Sequence, residues 1–370
     1  MEDGVVTLFL AGDVMTGRGV DQILPSPGGS TLRERTAKDA RTYVSLAESV
    51  GGPITRPVDF SWPWGESLAV LDAAAPDVRL VNLETSVTRS DDYALGKGIH
   101  YRMDPGNLPC LSAAGLDVCA LANNHVLDFG ERGLLETLET LAAAGLRTAG
   151  AGRDEQSAWG PTTVDVDGRR RVLIWSVAVR SSGVPDGWAA VGDRPGVALL
   201  PEVSLASAAG LAERIRSSAR PSDLVVVSIH WGSNWGYEVP QPHVEFARRL
   251  IDEGVHLVHG HSSHHPRPIE VYRGRLVLYG CGDLIDDYEG ISGYEQYRPD
   301  LRFLYLADVG AGSGELLRLR LVPMQLRQMR LRRSGAADVH FSRVLLNEIS
   351  QPFGTRIEAD TDGDLILLPA

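Results

Sequence analysis

The sequence predicts an α/β layered fold, and three observations predict it. Short, continuously apolar runs recur along the chain, amphipathic stretches with helical spacing lie between them, and paired runs joined by tight turns read as hairpins. Continuous apolar runs mark strands buried on both faces, as in sheets covered by helices.

In chain order the apolar runs are Val5–Ala11, Val78–Val81, Val118–Ala122, Leu224–Ile229 and Val255–Val258. Each ends at once in polar residues: Gly12-Asp13, Asn82-Leu83-Glu84, Asn123-Asn124-His125, His230-Trp231-Gly232 and His259-Gly260-His261. In open α/β sheets, functional residues gather beyond the carboxyl ends of the strands. Five runs that each deliver Asp, Glu, Asn or His at that end point to one shared site.

Helices are expected at Ser67–Ala75, Leu205–Ser218, His243–Glu253 and Gly133–Ala144. In the last, Leu134, Leu135, Leu138 and Leu141 share a face and Gly145 stops the helix. Thr162–Val166 with Arg171–Val177, and Ile269–Tyr272 with Leu276–Tyr279, read as hairpins turning at Asp167-Gly168 and Arg273-Gly274, so a second sheet is expected. Residues 24–64 differ, being rich in Pro, Gly, Arg and aromatics around one helical stretch, Leu32–Ser49. An insertion directly after the first site-bearing strand covers the site or binds substrate, or else decorates the surface. Its Tyr43, Phe60, Trp62 and Trp64 serve substrate contact or packing. Residues 1–370 read as one domain whose C-terminal extension, 326–370, packs on it. Arg327, Arg330, Arg332 and Arg333 read as a solvated strand face.

With 370 residues, 43% hydrophobic and 23% charged, the chain can bury a sizeable core. A net charge of −12 argues against nucleic acid and against anionic lipid surfaces, both of which call for clustered Lys and Arg. Cys110, Cys119 and Cys281 lack CxxC spacing and are odd in number, which predicts buried free thiols in a reducing compartment. Four residues, two of them acidic, precede the first strand, and no run reaches the roughly 18 apolar residues of a membrane span. The expectation is a cytoplasmic, unanchored protein; oligomeric state is not legible.

The strand-end residues are carboxylates, one amide and imidazoles, without cysteine. That set suits Mn²⁺, Fe²⁺, Zn²⁺ or Ca²⁺ better than a thiolate-bound structural zinc. Two divalent ions about 3.5–4 Å apart need a bridging carboxylate, for which Glu84 is the candidate. Asp13 would hold one ion; Asn124, His230 and His261 would hold the other; His264 or His259 would complete the first. Taken singly, Asp13 could cap a helix, Asn124 could serve a turn and His230 could be a satisfied core histidine. Four histidines within His259–His265 are costly to bury neutral and unpaired, which favours ligation.

The motifs Ala11-Gly12-Asp13-Val14-Met15, Val81-Asn82-Leu83-Glu84, Leu121-Ala122-Asn123-Asn124-His125-Val126-Leu127-Asp128-Phe129-Gly130, Ile229-His230-Trp231-Gly232, His259-Gly260-His261-Ser262-Ser263-His264 and Leu278-Tyr279-Gly280-Cys281-Gly282-Asp283 carry a resemblance. The chain resembles the CapA family of poly-γ-glutamate capsule biosynthesis proteins, within the calcineurin-like metallo-dependent phosphatases. The resemblance spans residues 8 to 290. It implies a four-layer α/β/β/α sandwich of two sheets flanked by helices, and the metal roles above. It also implies that His125 is a general acid rather than a ligand, with Asp128 as its orienter. Two departures stand out: the usual Asp-x-His motif reads Asp13-Val14-Met15, without its histidine, and Glu84 replaces an Asp. Capsule proteins of the family usually carry an N-terminal anchor, which is not seen here.

Three activities compete. Metal-assisted hydrolysis of a phosphoester or amide would use His125 to protonate the leaving group. Metal-assisted Cα epimerisation of a peptide would use acid/base groups on opposite faces, drawn from His125, Asp128, His264, His265 and Asp283; the resemblance extends to soluble epimerases of lasso-peptide precursors. A scaffold would use a degenerate site to hold a polymer or partner. A peptide or amide-type substrate is expected, with epimerisation ahead of hydrolysis and of a role in capsule biosynthesis. Arg18 and Arg102 could bind a substrate carboxylate or form structural ion pairs, and Trp231 is a candidate substrate contact.

Overall fold

The computed structural model describes residues 4–168 and 170–367. Residues 1–3 and 368–370, the ends of the expected domain and of its C-terminal extension, lie outside the described residues.

Two large sheets carry the five site-bearing runs, and the runs are divided between them. In the first sheet, Val5–Val14, Val78–Leu83, Val118–Ala120 and Arg147–Ala149 lie side by side in parallel. On the other flank of Val5–Val14, the antiparallel Leu301–Gly310 and Leu316–Arg327 extend the sheet toward Leu365–Leu367. The second sheet is built on Arg171–Val179, Leu224–His230 and Leu257–His261, again parallel. The two expected hairpins join this same sheet through Thr162–Asp165 and through Ile269–Tyr272 with Arg275–Leu278. So the second sheet is not hairpin material alone; it contains two of the site-bearing strands.

Alternation along each strand assigns the layers. Val6, Leu8, Leu10 and Leu80 meet Ile174, Val226, Leu257 and Leu278 in the core between the sheets. The opposite faces point outward: Phe9, Ala11, Val81 and Leu83 pack with Val44, Leu71, Leu134 and Leu141 of one helical layer. Leu173, Trp175, Val225 and Val227 pack with Leu211, Ile215, Phe246 and Leu250 of the other. This is the four-layer α/β/β/α sandwich. Leu346 and Ile357, from the C-terminal part, join the core between the sheets.

In residues 24–64 the helix runs over Arg41–Gly51 and not from Leu32. Thr31 bridges Asp39, and the Asp39 carboxylate accepts the Arg41 N–H at 2.9 Å, so the chain is extended before the helix begins. Trp64 is fully buried and donates its indole N–H to the Cys110 carbonyl at 2.8 Å. Trp62 donates to the Gln328 carbonyl at 3.0 Å, beneath the Arg330 guanidinium. Both therefore serve packing. The three cysteines are free and buried. Among the described residues, no helix is long and apolar enough to cross a membrane.

Candidate metal centre

Strand register assembles the site. The first strand pairs Asp13 with Asn82 on one side and with Asp283 on the other. In the second sheet His230 lies opposite His261. Because side chains alternate, Asn82 and Glu84 share one face of their strand, as do His259 and His261. The same rule turns Trp231 away from His230. Trp231 is stacked on His243 at 4.6 Å among the outer-layer residues and donates to the Tyr279 carbonyl at 3.0 Å. It is a core residue and not a substrate contact.

Two sets of groups could each hold a cation: Asp13, His230 and His261, and Asp13, His264 and Asp283. Within each set the ligand atoms lie within 4.8 Å of one another. Asp13 belongs to both sets and Glu84, expected as the bridge, to neither. Glu84 stands beside it, with carboxylate oxygens 3.9 Å from His230 Nε2 and 3.8 Å from His125 Nε2. Asn124 Oδ1 is 3.1 Å from His230 Nε2. The Asn82 amide donates to Asp13 at 2.8 Å and to Glu84 at 3.1 Å, tying the two carboxylates together. His264 Nδ1 is 2.9 Å from Asp283.

His259 has a different task. Its Nε2 is 2.9 Å from the Ala11 carbonyl and its Nδ1 is 3.1 Å from Ser228 Oγ, so both ring nitrogens are engaged away from the cluster. Of the two histidines considered for the first ion, the structure brings His264 to Asp13.

His125 stands at the edge of the cluster with Nδ1 2.6 Å from Asp128. Asp128 also accepts the Tyr101 N–H at 2.7 Å and is 2.6 Å from Lys97 Nζ. Burial pushes His125 down to about 4 despite the attraction of Asp128. The ring is therefore neutral at neutral pH, with Nδ1–H donated to Asp128 and a lone pair on Nε2.

The remaining electrostatics describe a site short of positive charge. Burial and the neighbouring Asp283 raise Asp13 to about 7, and burial with Asp13 raises Glu84. Burial lowers His230 and His261. For His264 burial opposes the charge, but the carboxylates of Asp283, Asp13 and Asp286 together outweigh it and the net shift is upward. Among the described residues, the ion-pair partners of Asp13, Glu84 and Asp283 are histidines only. Asp13 Oδ2 and Asp283 Oδ2 are buried without any hydrogen-bond partner. Unpaired buried anions are expensive, and hard oxygen and imidazole donors of this kind fit divalent cations.

A pocket of about 60 Å³ opens at the cluster, lined by Glu84, Asn124, His125, His230, His264 and Tyr288 among others. It adjoins an outer cavity of about 480 Å³ through Ile99, Asn234, His264 and Tyr288. Tyr43 and Trp235 line the outer cavity, and Trp235 stacks on Tyr294 at 4.0 Å.

Other expected residues lie elsewhere. His265 is stacked on Tyr297 at 4.6 Å and lines neither cavity. Arg18 lines the outer cavity but is buried in ion pairs with Asp287 and with Glu34 at 2.9 Å, under Tyr43 and Tyr101. Arg102 is spent on the Ser90 carbonyl at 2.8 Å and on Asp91 at 2.6 Å, outside both cavities. Sequence reasoning passed over Asn82, Ser228, Lys97 and Tyr288. Asn82 could have been found from its place two residues before Glu84 on one strand; Lys97, from a loop, gives no such signal.

The family model for the bacterial capsule synthesis protein PGA_cap matches residues 7–288. The chain belongs to this family. It is 52% identical over 367 residues to a protein of Mycobacterium tuberculosis named a probable polyglutamine synthesis accessory protein, covering 99% of this chain and 97% of that one. It is 27% identical over 294 residues to the PGA biosynthesis protein CapA of Bacillus subtilis, covering 77% of this chain and 64% of that one. The capsule biosynthesis protein CapA of Bacillus anthracis is 25% identical over 292 residues, covering 77% and 61%. These relatives favour the capsule and polyglutamate reading over the lasso-peptide epimerase that the sequence put first.

Proposed function

We propose that this member of the capsule synthesis family is a metal-dependent enzyme acting on an amide-linked polymer of glutamyl or glutaminyl units, and that its reaction is hydrolytic. The observation that carries the reading is the convergence of buried, incompletely paired carboxylates with imidazoles beside a neutral His125. The polymer class comes from the names of the relatives.

Asp13, Asn124, His230 and His261 would hold one cation, and Asp13, Glu84 and His264 another. Bound there, the cations would polarise the substrate carbonyl and make water a stronger acid. His125 would take a proton at Nε2, with Asp128 stabilising the imidazolium, and return it to the departing amine. Lys97 holds the second oxygen of Asp128, and against the effect of burial His125 and Lys97 together hold that carboxylate below the ordinary range. Epimerisation needs a second acid/base group across the substrate. Among the groups considered for it, Asp128 is committed to His125, His264 would hold a cation, His265 is enclosed by tyrosines, and Asp283 is bound to His264. This arrangement favours hydrolysis.

The test is incubation with α- and γ-linked glutamyl and glutaminyl oligomers in H₂¹⁸O, with and without Mn²⁺ or Zn²⁺. New amine termini and one ¹⁸O per cut, dependent on metal, are expected. Absence of metal-dependent cleavage across the panel would overturn the reading. Uptake of one deuteron from D₂O without cleavage would return epimerisation to the front.

A further inference from the structure

We propose that Asp283 is itself a metal ligand, which with Asp13 and His264 forms the second cation position and takes the place of the histidine missing at Met15. The inference rests on the metal-dependent reading above and extends it to a residue expected from sequence to do acid/base work.

The backbone brings the two aspartates together. Asp283–Ile285 is a short strand that pairs in parallel with the first strand, setting Asp283 beside Asp13, where the register is broken by an irregularity after Asp13. The Asp13 N–H donates to the Gly282 carbonyl at 3.0 Å. Gly282 has φ +74, and a Cβ on Gly12 would fall 1.8 Å from the Gly282 oxygen. Two glycines thus permit a contact that no other residue pair would allow. Like charges on neighbouring strands repel, and both side chains are buried, so the arrangement is costly unless a cation lies between them.

The unpartnered atoms point the same way. Asp283 is 3% exposed and Asp13 is 0% exposed, yet each keeps its Oδ2 without a hydrogen-bond partner. If Asp283 served only to orient His264, its Oδ1 would suffice, being 2.9 Å from His264 Nδ1. The second oxygen would then be buried for nothing. Met15, two residues after Asp13, offers only a thioether, whose sulfur is 3.6 Å from the Tyr288 hydroxyl. A hard cation prefers a carboxylate to that sulfur.

The experiment is metal counting by mass spectrometry and calorimetric titration with Mn²⁺ on wild type, Asp283→Asn and Asp13→Ala. Wild type is expected to bind two ions per chain, Asp283→Asn one, and Asp13→Ala none. The isosteric amide keeps the shape of the side chain and removes only its charge. Two ions in Asp283→Asn, with affinities within threefold of wild type, would overturn the inference and leave the metal reading standing, as would a wild type that binds only one ion. A wild type that binds none would sink the metal reading itself. Thermal melts with and without Mn²⁺ give a second readout. The rise in melting temperature on adding metal is expected to be smaller in Asp283→Asn than in wild type, and an equal rise in both would overturn the inference.

Discussion

His259 donates its Nε2–H to the carbonyl of Ala11 at 2.9 Å, joining the second sheet to the first just behind the site. A carbonyl only accepts, so in the neutral ring Nδ1 carries the lone pair and must receive the Ser228 hydroxyl proton, at 3.1 Å. Ser228 Oγ is then left to accept from His261 Nε2–H at 2.9 Å. The chain of bonds fixes the tautomer of His261 and leaves its Nδ1 lone pair facing Asp13 and His230. Ser228→Ala and His259→Phe are expected to weaken metal binding at the His261 position by about 10- to 100-fold. Calorimetric titration checks this; unchanged affinity in both variants would remove the relay.

Asp128→Asn should leave His125 in place but reverse the preferred position of its ring proton, since an amide can donate to Nδ1. A drop in kcat of about 10²-fold or more, with KM little changed, is expected for polymer cleavage. Lys97→Met should act in the same direction and more weakly, because it removes only the cation on the far oxygen of Asp128. Equal losses in KM and none in kcat would assign both residues to substrate binding instead.

Much of this site is legible in the sequence, and the reason is geometric. Asp13, His230 and His261 end apolar strands, and strand ends converge in layered α/β folds whatever their partners. What could not be read was which strands share a sheet. The pairing of Asp283 with Asp13 spans most of the chain, so its proximity leaves no local signature. Trp231, expected as a substrate contact, follows His230 directly, and the alternation of a strand sends such neighbours to opposite faces, so it packs in the outer core. The helix start at Arg41 was missed because apolar spacing from Leu32 onward says nothing of the bridge between Thr31 and Asp39.

Arg18 tests the difference between a structural ion pair and a substrate clamp. Its guanidinium is buried between Tyr43 and Tyr101 and neutralises Asp287 and Glu34. Arg18→Met leaves two buried carboxylates without their cation, so a loss of about 3–5 kcal/mol in unfolding free energy is expected. Denaturant titration measures it. A variant of wild-type stability with a raised KM would make Arg18 a binding residue.

The pH dependence of stability has a contributor far from the metal. His256 Nδ1 accepts the Val225 N–H at 2.9 Å, and burial lowers its pKa from 6.5 to about 4. Unfolding restores the ordinary value, so the unfolded chain binds more protons between those limits. The stabilisation is full above pH 6.5 and is lost as pH falls toward 4. Partial solvent exposure limits it to about 2 kcal/mol. His256→Gln should flatten this part of the curve relative to wild type, measured by urea titration at pH 7 and pH 4.5. Parallel curves for the two proteins would show that His256 contributes nothing to the acid loss.

Gly12 carries the sharpest steric requirement in the site. Any Cβ there would fall 1.8 Å from the Gly282 oxygen and 2.9 Å from its carbonyl carbon, both belonging to a backbone that cannot move without its strand. The conflict can be relieved only by parting Asp283–Ile285 from the first strand, and that separates Asp283 from Asp13. Gly12→Ala is therefore expected to lose the second cation while keeping His230 and His261 opposed on the other sheet, where their register depends on Leu224–His230 and Leu257–His261 alone. Its cost in stability should be about 1–3 kcal/mol, the usual range for overpacking. Metal counting beside a denaturant titration separates the two effects: one ion per chain in a folded variant is the expected result, and two ions in a folded Gly12→Ala protein would mean that the aspartate pair does not depend on this contact.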